Sequence, residues 1–179
     1  MRHTNINTIT HGWIKENVTS QSIVVDATIG NGHDTLFLSE LVHRVYGFDI
    51  SDQAMSETKK RVKHKNNVVL FLDSHHQLLK YIKSSIDGIV FNCGYLPNSD
   101  HASVTTSETT LAALENAKTL LNPTGWICIT VYQGHDHGEL EAKKVLDWLE
   151  SNTIIEYRYT YDGVNKAPIA YFARLKSST

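Results

Sequence analysis

Short continuous runs rich in Val, Ile, Phe and Tyr alternate along the chain with longer stretches whose apolar positions recur at helical spacing, so strands and helices take turns. The runs predict strands at Ile23 to Asp26, Val45 to Asp49, Val68 to Leu72, Gly88 to Asn92 and Trp126 to Tyr132. The spaced stretches predict an N-terminal amphipathic helix through Ile6, Ile9, Trp13, Ile14 and Val18. Further helices are predicted at Leu36 to Val42, about Gln53 to His64, Leu78 to Ile82, about Glu108 to Leu121, and Leu140 to Leu149, with Asn122-Pro123-Thr124-Gly125 as a helix stop. Ile154 to Tyr161 and Ile169 to Leu175 read as two more strands around a turn region containing Asp162-Gly163 and Pro168. This alternation predicts an α/β architecture: a seven-stranded, mostly parallel sheet with helices on both faces and an antiparallel hairpin strand at the C-terminal end. No break in composition divides the chain, and residues 1–179 are expected to form one domain.

In such a sheet ligands bind beyond the carboxyl ends of the strands. The first of those ends is Asp26-Ala27-Thr28-Ile29-Gly30-Asn31-Gly32-His33-Asp34-Thr35, an apolar run closing on a carboxylate, a turn with two glycines, and a helix start. A dinucleotide site built on this turn needs a third glycine and no nearby anion, because the diphosphate sits on the helix N-terminus. Here the third glycine is missing and Asp34 adds negative charge, so a diphosphate is disfavoured. S-adenosylmethionine carries an ammonium, a carboxylate and a sulfonium but no phosphate. Asp26 can accept the ammonium, and the backbone N–H groups from Thr28 to Thr35 can take the carboxylate. Asp49, at the end of the second strand, stands at the spacing of a ribose-binding acid. The competing reading is that Asp26 and Asp34 only cap the turn and the helix.

Three further strand ends extend the pocket. Ile50 is expected to pack on an adenine and Gln53 to reach a ribose or base edge. Asp73-Ser74-His75 lies where an exocyclic amine would be read, or else forms a plain capping turn. The fourth strand leaves through Asn92-Cys93-Gly94-Tyr95-Leu96-Pro97, an amide followed by glycine, an aromatic ring and proline. The Asn92 amide oxygen and the Gly94 carbonyl can orient an amine while Tyr95 stacks on a planar base. The roles match those of the Asn-Pro-Pro-Tyr loop of methyltransferases acting on amino nitrogens, although Cys93 and Gly94 stand where that loop has prolines. The long polar loop from Pro97 to Thr106 is of a length that is usually functional or disordered.

Composition narrows the ligand classes. A formal charge of −2 gives no global attraction to nucleic acid, so an RNA partner needs a local patch. Lys59-Lys60-Arg61-Val62-Lys63-His64-Lys65 is the densest basic run and reads as a solvated helix face, whereas Lys15, Arg158 and Lys166 flank the expected mouth. No apolar stretch has the length of a membrane span or the pattern of a secretory signal. Cys93 and Cys128 sit inside apolar strands, which suits buried reduced thiols in the cytoplasm. The ten histidines show no compact metal-ligand spacing, and no metal is expected.

Asp26-Ala27-Thr28-x-Gly30-Asn31-Gly32-His33-Asp34-Thr35-Leu36-Phe37-Leu38, together with Asn92-x-Gly94-Tyr95-Leu96-Pro97, Asp100-His101 and Thr105-Thr106-x-Glu108-Thr109-Thr110, resembles a bacterial family labelled ribosomal RNA methylases. Its characterised members are the MnmM transfer-RNA methyltransferases. The resemblance implies a Rossmann-like class I methyltransferase fold and the use of S-adenosylmethionine. It also implies N-methylation of the aminomethyl group of the wobble 5-aminomethyl-2-thiouridine, with the transfer-RNA anticodon arm as partner. Asn92 and Tyr95 are then the acceptor-side residues, and Asp100-His101 is the expected base, an imidazole oriented by a carboxylate. Tyr95, Pro97, Thr106, Asn165 and Lys166 would meet the RNA. A homodimer would enlarge the surface that grips an anticodon arm. Two alternatives remain open: a ribosomal RNA or small-molecule amine methyltransferase on the same scaffold, and a cofactor-binding module without catalysis.

Overall fold

The computed structural model describes residues 4–93, 107–134 and 138–177. Its seven strands are β1 (Ile23–Asp26), β2 (Arg44–Asp49), β3 (Val68–Leu72), β4 (Ile86–Cys93), β5 (Leu121–Val131), β6 (Thr153–Thr160) and β7 (Ile169–Leu175). They form one sheet in the order β3-β2-β1-β4-β5-β7-β6. All neighbours from β3 to β5 pair in parallel, and β7 runs antiparallel to both β5 and β6. The helices are α1 (Ile6–Glu16), α2 (His33–Ser39), α3 (Asp52–Arg61), α4 (Leu78–Tyr81) after a 3-10 turn at His75–Gln77, α5 (Ser107–Leu120) and α6 (Gly138–Asn152).

Strand side chains point alternately to the two faces, and the two halves of the core follow that alternation. Val25, Ile89, Phe91, Ile127, Ile129 and Tyr171 join α4, α5 and α6 on one face. Val24, Val90, Cys128 and Phe172 join α1 and α2 on the other. Burying both faces explains the nearly unbroken apolar runs of the central strands. Close packing also dictates residue size: at Gly88 an added Cβ would lie 2.2 Å from the Trp126 ring, so only glycine lets that indole lie across β4.

One sequence expectation is corrected. Asn122 to Gly125 does not form a free-standing helix stop, because β5 starts at Leu121. Ile86 pairs with Leu121, and after a register shift Gly88 pairs with Trp126, so the intervening residues are absorbed as an irregularity of the ladder. Asp87 secures it, accepting from Asn122 Nδ2 at 2.6 Å and from the Ile23 N–H at 2.7 Å.

The strand order reverses between β1 and β4, opening a crevice at their carboxyl ends. Asp26 pairs with Val90, so Asn92 projects just past the end of β1. The turn between β6 and β7 lies on the same side, since Val131 at the end of β5 pairs with Ile169.

Candidate active site

The glycine turn departs from β1 with left-handed backbone at Gly30 (φ 53°) and Gly32 (φ 76°), which a Cβ disfavours. Asp26 ties this turn together, accepting from Thr35 Oγ1 at 2.6 Å and from the Thr28 N–H at 3.2 Å. The expectation that Asp26 meets a ligand ammonium is therefore corrected. Its side chain is 1% exposed and both oxygens are engaged. Burial, with Asp34 nearby adding like charge, pushes its pKa up to about 7. Asp26 organises the loop from within.

Asp34 does not cap α2, whose N-cap is Gly32 with no side-chain cap bond. It stands at the crevice with one oxygen 2.7 Å from His11 Nε2 of α1 and the other accepting from Asn92 Nδ2. The Asn92 backbone N–H donates to Thr28 Oγ1 at 2.7 Å, which clamps the end of β4 onto the glycine turn. Tyr132, at the exit of β5, faces the same charge: burial raises its phenol and Asp34 raises it further.

Asp49 accepts from the Gly30 N–H and the Ser51 N–H, both at 2.9 Å. A carboxylate has about four lone-pair sites, so two remain for hydroxyls of a ligand. Ile50 (48% exposed) follows it, and Leu72 (51% exposed), the register partner of Asp49 on β3, lies beside it. Both are exposed apolar side chains at the strand ends. Gln53 is exposed on the first turn of α3.

Of the two readings of the next strand end, the geometry matches the capping turn. Asp73 is committed to Tyr81 Oη at 2.6 Å and Lys80 Nζ at 3.2 Å, with the Ser74 N–H at 2.8 Å. These partners, Tyr81 foremost, hold its carboxyl below the usual range. It forms a capping turn, and Ser74 is spent on His76 Nδ1 at 2.7 Å. His75 is also corrected as a pocket residue. It is buried beneath the turn, bonded through Nδ1 to the Ala27 carbonyl at 2.9 Å, and lies edge-on to Phe91. Burial lowers its pKa to about 4, so the ring is neutral, its Nδ1 donates to Ala27, and Nε2 has no partner among the described residues.

His33 and Asn31 are exposed on the glycine turn, and Arg61 Nε donates to the Asn31 carbonyl at 2.8 Å. Arg61 thus leaves the otherwise solvated basic face of α3 to brace the loop. Asn165 and Lys166 are exposed in the β6–β7 turn, where Lys166 adopts φ 52° and sits 3.6 Å from Glu139. Gly94, Tyr95, Pro97, Asp100, His101, Thr106, His135 and His137 lie outside the described residues. Among the described residues no group of three or more His, Cys, Asp or Glu side chains is arranged to hold a metal ion. No described helix is long and apolar enough to cross a membrane. His11 was not legible as a site residue, because it reaches the crevice only through the packing of α1 against elements distant in sequence.

Comparison with known proteins adds independent findings. The family described as "Putative rRNA methylase" matches residues 45–172. A chloroplastic tRNA (mnm5s2U34)-methyltransferase of Arabidopsis thaliana is 35% identical over 138 residues, 68% of this chain and 50% of that protein. The chain thus spans about half the length of this curated relative. A crystal structure from Clostridium thermocellum, described as a putative rRNA-methylase, superposes with a TM-score of 0.89 at 37% identity, covering 98% of this chain and 100% of that one. A methyltransferase structure from Streptococcus mutans in complex with SAH gives 0.85 at 31% identity, covering 97% and 98%.

Proposed function

The chain belongs to the putative rRNA methylase family, and from that premise we propose that it is an S-adenosylmethionine-dependent methyltransferase of transfer RNA. Its proposed reaction is N-methylation of the aminomethyl group of wobble 5-aminomethyl-2-thiouridine, giving 5-methylaminomethyl-2-thiouridine, in the cytoplasm, with residues 1–179 forming one methyltransferase domain. The observation that carries the cofactor reading is the glycine turn ringed by Asp26, Asp34 and Asp49. The carboxylates of Asp34 and Asp49 repel a diphosphate and suit a cationic amino acid joined to a ribose, while the buried Asp26 shapes the turn between them. The substrate reading is supported by the name of the Arabidopsis relative.

The residues present fit the cofactor. Asp49 has lone pairs left for ribose hydroxyls, the exposed apolar side chain of Ile50 suits an adenine face, and Asp34 is the partly exposed acid nearest Asn92. When bound, S-adenosylmethionine supplies a methyl group on a sulfonium, an electrophile that requires an in-line nucleophile. Asn92 Oδ1 accepts a hydrogen bond from the acceptor amine and aims its lone pair. A primary alkylamine is mostly protonated near neutral pH, so it must lose a proton before attack. We assign that proton to His101, oriented by Asp100, while Tyr95 and Gly94 hold the base. Pro97, Thr106, Asn165 and Lys166 line the RNA approach, and a second copy of the chain would extend it.

The test has two arms. Calorimetry is expected to show uptake of S-adenosylhomocysteine and none of a nicotinamide dinucleotide; the reverse result overturns the cofactor reading. Incubation with S-adenosylmethionine and transfer RNA carrying 5-aminomethyl-2-thiouridine should add one methyl to the wobble nucleoside by mass spectrometry. Methylation of ribosomal RNA instead, the second reading favoured by the family's description, would overturn the substrate.

A further inference from the structure

Helix α1 is not one of the strand ends from which such a site is usually read, yet one of its side chains is tied into it. His11 Nε2 lies 2.7 Å from Asp34 Oδ1, and Asn92 Nδ2 bonds the other oxygen of the same carboxylate. The imidazole stacks on Phe37 with ring centroids 3.8 Å apart and 4° between the planes, so its edge is aimed at Asp34 by a contact from α2 itself. An ionised carboxylate only accepts hydrogen bonds. Both partners are therefore donors: His11 carries its proton on Nε2, and Asn92 turns its NH2 toward Asp34. That leaves Asn92 Oδ1 pointing away from Asp34, with no described residue donating to it. Turning the amide over would set its oxygen against the Asp34 carboxylate, which is repulsive.

We propose that His11 is a positioning residue for methyl transfer, holding Asp34 so that Asn92 presents its amide oxygen, and not its NH2, to the acceptor nitrogen. The inference rests on the crevice being a methyl-transfer site. His11 supplies the second donor that keeps Asp34 in one rotamer at the crevice. With Asp34 fixed, the Asn92 amide has one orientation. With it loose, the amide loses its anchor, and the reversed orientation, which turns its NH2 toward the acceptor nitrogen, opposes the reaction.

The test uses the full chain and three variants. His11→Phe keeps a ring on Phe37 and removes the donor, and His11→Gln restores an N–H without a ring. His11→Ala gives the same readouts should the phenylalanine variant fail to fold. His11→Phe is expected to lower kcat by about tenfold to a hundredfold, the scale of a misplaced catalytic group, with KM for transfer RNA and the S-adenosylhomocysteine Kd nearly unchanged. His11→Gln is expected to recover most of the loss. In the protein without ligand, the Asn92 side-chain NH2 signal, assigned by its absence from Asn92→Ala, should move toward the free-amide position in His11→Phe and return in His11→Gln. An unchanged kcat or an unmoved Asn92 signal in His11→Phe overturns the inference. So does a loss of cofactor affinity that parallels the loss of kcat. A wild-type protein that transfers no methyl group overturns the underlying reading and this inference with it, whereas an active wild type with an indifferent His11 overturns this inference alone.

Discussion

Gly32 holds φ 76° with the Thr58 side chain so close that an added Cβ would lie 2.5 Å from Thr58 Oγ1. Gly32→Ala therefore combines left-handed strain with a clash, a cost of about 2–3 kcal/mol. Thermal denaturation should show Tm lowered by several degrees, and S-adenosylhomocysteine affinity should fall as the turn shifts. Two buried ionisable groups set a second residue-level expectation. His75 stays unprotonated in the folded chain down to about pH 4, against 6.5 when unfolded. The unfolded chain binds the extra proton between those values, so this group makes stability fall as pH falls. Asp26 keeps its proton up to about pH 7, against 3.8 when unfolded, so it makes stability fall as pH rises through that range. Over the shared window the two slopes oppose each other, each about 1.4 kcal/mol per pH unit. Asp26→Asn should expose the histidine slope: urea titrations from pH 7 to pH 4 should find the variant losing stability on acidification more steeply than the wild type. The presence of these two residues was readable in the sequence. Their burial was not, since Asp26 at a strand end reads equally as a ligand to solvent or to its own loop.

Helix α1 shows the same division among elements. Its apolar spacing announced an amphipathic helix, and Ile6 and Ile14 are buried as that spacing requires. Its attachment comes from far along the chain. Tyr161 Oη accepts from the Ile6 N–H at 2.9 Å, and Tyr159 Oη donates to the Thr4 carbonyl at 3.2 Å. At the other end Trp126 Nε1 donates to the Asn17 carbonyl at 3.2 Å, and Arg174 Nη2 reaches Asn17 Oδ1 at 2.5 Å. Between them Trp13 stacks on Phe172 and meets Trp126 edge-on, with centroids 4.6 and 5.4 Å apart. Trp13→Ala removes this central contact, and chemical denaturation should register a loss of about 3 kcal/mol. Because α1 carries His11, kcat should drop even under conditions where the variant remains folded. The same limit on legibility appears at Asn122 to Gly125. Pro and Gly there signal a break, but only pairing with β4 decides that the break is a shift within a strand.

For the molecule as a whole, a net charge of −2 means that the proposed RNA binding must come from local cations at the mouth. Lys166, held at φ 52° in the β6–β7 turn, is one such cation. Affinity for transfer RNA should fall steeply with salt, and Lys166→Gln should reduce the slope of log K against log salt by about one if the lysine meets a phosphate. A filter-binding series over salt concentration checks this, and an unchanged slope removes Lys166 from the interface. The order of elements, the parallel sheet, the glycine turn and the acidic character of its surroundings were all determined by the sequence alone. They depend on local periodicity, on the φ values glycine permits and on charge, and each of these is written within a few neighbouring residues. What each acid does was decided only by tertiary structure. Asp26 turns inward, Asp73 is spent on Tyr81, and Asp34 joins His11 to Asn92 across separations of 23 and 58 residues. A carboxylate looks the same in sequence whether it faces solvent, a core or a distant donor, and only the packing of remote elements around it chooses among them.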